Sequence, residues 1–152
     1  MGYKTRSNSW QNRLMDQGCL LAIDYGTKNI GLACCDELSI AIRPLPSVRH
    51  AGSRDLLARL RTIIRENAIR GLIIGIPLNM DGSPGQSVRK VERFIKLLQK
   101  ELQLPVHRMD ERLSTWEAME YWREMGAKQQ RRYRTIDSLS AALILQRYLK
   151  EH

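Results

Sequence analysis

The 152-residue chain has no apolar stretch approaching the length of a membrane-spanning helix, and it does not open with the charged-then-apolar pattern of an export signal. Both absences make the cytoplasm the expected compartment and leave no membrane partner. Cysteine is scarce: Cys19, Cys34 and Cys35, the last two adjacent in an apolar run. An odd number at that spacing suits neither a disulfide framework nor a zinc site, so buried thiols in a reducing compartment are expected. No internal repeat and no low-complexity segment occurs, which excludes solenoids and arrays. The length fits one domain and suffices for a core without disulfides or a structural metal.

Positive charge is what the chain has in excess. Lysine and arginine number 25 against 16 acidic residues, a formal net charge of +9. A surface of that sign attracts polyanions, nucleic acid above all. Charge alone is also compatible with an ordinary basic enzyme.

Residues 1–18 are polar and aperiodic and read as a flexible leader, with Lys4, Arg6 and Arg13 within reach of a polyanion. The segment 19–150 reads as the folded domain. CLLAID (19–24) is a short apolar run ending in Asp24, as in a buried strand. YGTKN (25–29) is a turn containing Gly26, IGLACC (30–35) a second strand and SIAIRPL (39–45) a third, whose end Pro44 and Pro46 place at a sheet edge or in a loop. Leu56, Leu57, Leu60, Ile63 and Ile64 give a helix over about 54–67, with Ser53 as its cap.

GLIIGIP (71–77) is apolar throughout, as expected of a strand covered on both faces. NMDGSPGQS (79–87) is a polar loop, followed by a helix to about Gln99 with Val88, Val91, Phe94, Ile95 and Leu98 inward. LPVHRMD (104–110) is a fifth strand. Ser114 or Thr115 caps a further helix whose inward residues are Ala118, Met119 and Trp122. GAKQQRRYR (126–134) is basic and lacks apolar periodicity. IDSLSAALILQRYL (136–149) is the last helix. The order β-β-β-α-β-α-β-α-α predicts an α/β fold, a mixed five-stranded sheet flanked by helices on both faces.

Acidic residues fall at the ends of these elements. Asp24 ends the first strand, Asp110 and Glu111 end the fifth, and Asp137 opens the last helix. If the first strand is central, loops at the carboxyl ends of parallel strands meet in one crevice. Carboxylates gathered there repel one another, and a divalent cation would compensate them. Mg²⁺, or Mn²⁺ in its place, accepts carboxylate, water and phosphate oxygens. Taken singly, Asp24 and Asp137 read equally well as turn or cap residues, and Asp110–Glu111 as a solvated pair.

Four segments carry a resemblance. AIDYGTKNIGLA (22–33), GIPLNMDGS (75–83), DERLST (110–115) and IDSLSAALILQRYL (136–149) resemble, in order, the motifs of the YqgF/RuvX family. That resemblance implies a ribonuclease H-like fold related to Holliday-junction resolvases. It implies a metal-dependent endonuclease maturing the 5′ end of precursor 16S ribosomal RNA, with branched DNA as the alternative substrate. By the same resemblance Asp24, Glu111 and Asp137 are the catalytic, metal-holding acids. Asn29 stands where many members carry a basic residue, which leaves Lys28 beside it as a phosphate contact.

Asn79, in a loop rimming the crevice with Asp81 and Gly82, is expected to position substrate. Arg131, Arg132 and Arg134, close before Asp137, are expected to bind phosphates. Trp116, Trp122 and Tyr133 are candidates for stacking on bases, Trp122 more naturally for the core. No histidine is placed as a general base; His107 reads as structural or a weak phosphate contact. A non-catalytic RNA-binding assembly factor is disfavoured by the complete acidic set, and a two-lobed ATP-binding fold by the chain's length.

Overall fold

The computed structural model describes residues 18–26, 28–38, 41–79, 81–111 and 114–151. The polar leader up to residue 17, the expected start of the third strand at Ser39 and Ile40, and the side-chain cap expected at Ser114 or Thr115 lie outside the described residues.

The elements in chain order are β1 (Cys19–Tyr25), β2 (Asn29–Cys35), β3 (Ile42–Arg49), α1 (Ser53–Glu66), β4 (Ile69–Ile76), α2 (Gln86–Leu102), β5 (Val106–Asp110), α3 (Ser114–Glu124), α4 (Ala127–Tyr133) and α5 (Ile136–Glu151). The five strands form one sheet in the order β3-β2-β1-β4-β5. β1 pairs antiparallel with β2, and β2 with β3, through two tight connections. β1 pairs parallel with β4, and β4 with β5, because a helix crosses over between each successive pair. β1 is thus the central strand.

Alternation along the strands divides the interior into two cores. Leu21, Ile23, Leu32, Leu72 and Ile74 face α1 and α2, where they meet Leu56, Leu60, Val91, Phe94 and Ile95. Leu20, Ala22, Ala33, Ile73 and Met109 face α5, where they meet Ala141, Ile144, Leu145 and Tyr148. α5 lies across β1, β2, β3 and β4.

Several expectations are corrected. β3 does not end at Leu45 but runs on through Pro46 to Arg49, with Pro44 opposite Ala33 and Leu45 opposite Leu32. It can do so because it is an edge strand, where a missing N–H costs no ladder bond on the open side. Asn29 belongs to β2, opposite Arg49, rather than to the turn. Gly52 is the N-cap of α1, Ser53 is the first helical residue, and no side chain caps that end. The basic stretch contains a short helix, α4, with no buried residue, so it shows no apolar periodicity in the sequence. Met119 is 41% exposed instead of inward.

Candidate active site

Asp24 is the penultimate residue of β1 and pairs across the sheet with Gly31. It shares the parity of Leu20 and Ala22, so its side chain emerges on the α5 face. Glu111 follows β5 directly. Its N–H donates to the Ile76 carbonyl at 3.1 Å, extending the β4–β5 ladder by one residue and holding the carboxyl over β4. Asp137 is in the first turn of α5, where a negative charge suits the helix dipole. The cap itself is Thr135, whose Oγ1 accepts from the Ser138 N–H at 3.1 Å.

Two glycines make room for this arrangement. A Cβ on Gly31 would collide with the carbonyl oxygen of Asp137, so α5 rests its first turn directly on β2. A Cβ on Gly75 would lie 2.5 Å from Glu111 Oε2 and 2.7 Å from Ile144 Cδ1. These glycines, with Ser140 and Arg147, were not anticipated as contributors to the site. Their signal was a lone glycine inside an apolar strand run, the mark of a close approach. Ser140 hydrogen-bonds the Asp24 carboxyl. Arg147 donates to the Asp110 carbonyl at 3.1 Å and to Glu117 at 3.3 Å, tying α5 to the end of β5 and to α3.

The electrostatics are those of acids pressed together away from water. Burial pushes the Asp24 carboxyl up to about 6, with the Asp137 charge adding to the rise and hydrogen bonds from Glu111 and Ser140 opposing it. Burial, and then the Asp24 charge, hold Glu111 well above the ordinary carboxylate range. Burial also raises Asp137. The two carboxyls are coupled, and burial together with the Asp24 charge favours the protonated form of Glu111. Glu111 Oε2 is buried without a hydrogen-bond partner.

That orphaned oxygen, beside a second buried carboxyl, is a donor set suited to a hard divalent cation. Among the described residues no three acidic, histidine or cysteine side chains stand close enough to form a ready-made cage. The pair Asp24–Glu111 is in contact, and Asp137 reaches it through charge rather than through a bond.

The other expected residues are dispersed. Lys28 is exposed in the β1–β2 connection, its carbonyl accepting from the His50 N–H at 2.8 Å. Asn79 spends its amide within its own loop, Nδ2 donating to Ser83 Oγ at 3.1 Å. Asp81 accepts from the Ser83 N–H at 2.9 Å, closing the same turn. Arg131 and Arg132 are exposed on α4, and Arg134 follows that helix. His107 is buried under Tyr148, the ring centroids 4.8 Å apart, a structural position. Trp116 is 63% exposed on α3, Trp122 is half-buried, and Tyr133 packs against the α5 core. No helix among the described residues is long and apolar enough to cross a membrane.

The chain is 41% identical over 133 residues to a Koribacter versatilis protein named "Putative pre-16S rRNA nuclease", covering 88% of this chain and 87% of that one. It is 38% identical over 130 residues to a protein of the same name from Syntrophus aciditrophicus, covering 86% and 87%. Among solved structures it resembles Thermus thermophilus RuvC in complex with a Holliday junction substrate, with TM-score 0.55, 13% identity and coverage of 89% and 96%. It also resembles the fowlpox virus resolvase bound to Holliday junction DNA, with TM-score 0.54, 13% identity and coverage of 88% and 97%. At such identities the likeness is one of fold, the ribonuclease H-like sheet and helices seen here. The family model RuvX, described as a Holliday junction resolvase, matches residues 18–151, and the chain belongs to that family.

Proposed function

We propose that this protein is a cytoplasmic, divalent-metal-dependent endonuclease that processes the 5′ end of precursor 16S ribosomal RNA. The observation that carries the reading is the buried, coupled Asp24–Glu111 pair, in which Glu111 Oε2 has no hydrogen-bond partner. A core gains nothing from such a pair, whereas a phosphodiesterase needs one. The names of the relatives supply the substrate, and the net charge of +9 supplies the attraction to it.

Asp24, Glu111 and Asp137 would hold Mg²⁺, or Mn²⁺, at the carboxyl ends of β1 and β5 and the start of α5. A divalent ion, when bound, supplies Lewis acidity toward the phosphodiester. Ser140 orients the Asp24 carboxyl by donating to it, and Gly31 and Gly75 leave α5 and Glu111 close enough to face it. Lys28, Arg131, Arg132 and Arg134 would meet substrate phosphates outside the reacting centre, and Asn79 would shape the loop beside it.

Branched DNA is the second reading, favoured by the fold shared with resolvases bound to junctions. The decisive experiment offers the protein a precursor 16S 5′ leader and a four-way DNA junction side by side, with Mg²⁺ and with chelator. Cleavage of the RNA alone, lost on chelation, is the expected result. Cleavage of the junction alone would transfer the assignment to DNA. Binding without cleavage of either would make the protein a non-catalytic assembly factor.

A further inference from the structure

Arg131, Arg132 and Arg134 look like one cluster in the sequence, but the fold separates them. Arg134 lines an open cleft of about 680 Å³ between the edge strand β3 and helix α1, a cleft that Arg131 and Arg132 do not line. Its companions there are Arg43 on β3 and Arg59 on α1. Leu45, Val48 and Ile63 provide apolar surface, and Ser47, Thr62 and Asn67 provide neutral polar groups.

The charge in the cleft is largely uncompensated. Arg43 donates to Asn67 Oδ1 and, at 3.5 Å, to Cys34 Sγ, both neutral. Arg59 pairs with Asp55 at 3.0 Å, and both side chains are solvent-exposed, so that pair offsets little. Among the described residues Arg134 has no acidic partner in hydrogen-bonding range. Glu66 is the one acid on the lining.

The backbone at Arg134 is strained. Its φ of 70° and ψ of −63°, with the Thr135 N–H donating to the Tyr133 carbonyl at 2.8 Å, make it the centre of a γ-turn of the rare form. A non-glycine residue held there is destabilising unless the surroundings enforce it. The surroundings do so through hydroxyls: Ser47 Oγ lies 2.5 Å from Thr135 Oγ1 and 3.2 Å from Ser138 Oγ, and Ser138 Oγ donates to the Leu45 carbonyl at 2.6 Å. One wall of the cleft is thereby bonded to the start of α5, the helix whose first turn carries Asp137.

We propose that this cleft is a second phosphate-binding site, holding the backbone of the nucleic acid on the flank of the cleaved position, with Arg43 and Arg134 as its main cationic contacts. It rests on the reading of the protein as a nucleic-acid enzyme and adds a path for the substrate. A β-strand partner is excluded as occupant, because Pro44 and Pro46 interrupt the donors of the edge. An open trough also suits a polymer strand better than a free nucleotide, which an enclosed pocket would hold.

The test measures binding of an unstructured RNA and a DNA of the same length across a salt series, in the full chain carrying Asp24→Asn to prevent cleavage. In that background, Arg43→Gln with Arg134→Gln should lower the slope of log affinity against log salt by about 1.4, at about 0.7 per single-strand phosphate contact. Arg131→Gln with Arg132→Gln should lower it less. A third variant, Arg134→Gly, separates strain from binding. It relieves the γ-turn, so the melting temperature should hold or rise while affinity falls. An unchanged slope in the Arg43/Arg134 variant, with salt-dependent binding intact, overturns the cleft and leaves the nuclease reading standing. A larger change in the Arg131/Arg132 variant also overturns it. Absence of any salt-dependent binding in the parent chain overturns both readings.

Discussion

The two faces of the central sheet are built on opposite rules. Toward α1 and α2 the strands present large aliphatic side chains, and the helices answer with leucine, isoleucine, valine and phenylalanine. No polar side chain among the described residues is buried there. Toward α5 the strands present small residues, Gly31, Ala22, Ala33 and Gly75, among larger ones such as Leu20, Ile73 and Met109, and the buried polar side chains among the described residues, His107, Glu111, Ser138 and Ser140, lie on that side. The first face is packed for stability and the second for proximity. Small residues bring a helix and two carboxyls within bonding reach, and the cost is a set of acids that would be better off in water.

The largest effect that tests this contrast is expected at Asp24. Asp24→Asn should abolish cleavage while stabilising the metal-free protein at pH 7. Folding raises the Asp24 pKa to about 6 from an ordinary value near 3.8. The folded state therefore favours the protonated form. That benefit is full below about pH 4 and is lost as pH rises through about 6. At pH 7 the wild type bears the cost of a buried charge and the variant does not, a difference on the order of 3 kcal/mol. Melting temperatures from pH 4 to 8 should converge at the acidic end, separate between about pH 4 and 6 and stay apart above that, the variant higher. With Mg²⁺ the wild type should regain stability and the variant should not. Cleavage that survives in the variant would remove Asp24 from the chemistry.

Next in size is a pair of substitutions, one on each face. Gly31→Ala inserts a methyl where the Asp137 carbonyl lies and should displace the first turn of α5. A misplacement near 1 Å should lower cleavage about 100-fold, with a stability loss of about 1–3 kcal/mol. Leu60→Ala removes a fully buried side chain from the α1 face and should cost about 2–5 kcal/mol. It should leave the cleavage rate per folded molecule unchanged. The two faces are distinguished by measuring denaturant midpoints and single-turnover rates together. Equal rate losses in both variants would erase the contrast.

The smallest effect is expected from deleting residues 1–17. The family match begins at residue 18, and the leader has no apolar periodicity. Melting temperature and cleavage rate should stay near wild type. A large fall in melting temperature would show that the leader packs on the domain.

Much of this was legible beforehand, for identifiable reasons. Strands and helices with one apolar face announce themselves by period, so β1, β4, α1, α2 and the mixed sheet were readable from CLLAID, GLIIGIP and the leucine spacing. Asp24, Glu111 and Asp137 were readable because each ends or begins such an element within a family motif. The two prolines of β3 left an edge strand and a loop equally open, and the topology shows that the strand is an edge and runs on to Arg49. Met119 was placed inward by helical spacing, but it is 41% exposed on α3. The Asn79 amide closes its own loop through Ser83, a bond to a residue four positions on that composition does not reveal.

The sequence by itself determined the element order, the net positive charge, the central apolar strands and the acids at their ends, because these follow from local periodicity and from residue identity. Tertiary structure alone decided which acids touch, which glycines are spacers and which arginines share a surface. Asp24 and Glu111 are separated by most of the domain in sequence and meet because β1, β4 and β5 are parallel neighbours. Arg134 joins Arg43 and Arg59 rather than Arg131 and Arg132 because a strained turn and a trio of hydroxyls direct it to the edge of the sheet. Such proximities arise from packing between distant segments, and no local period encodes them.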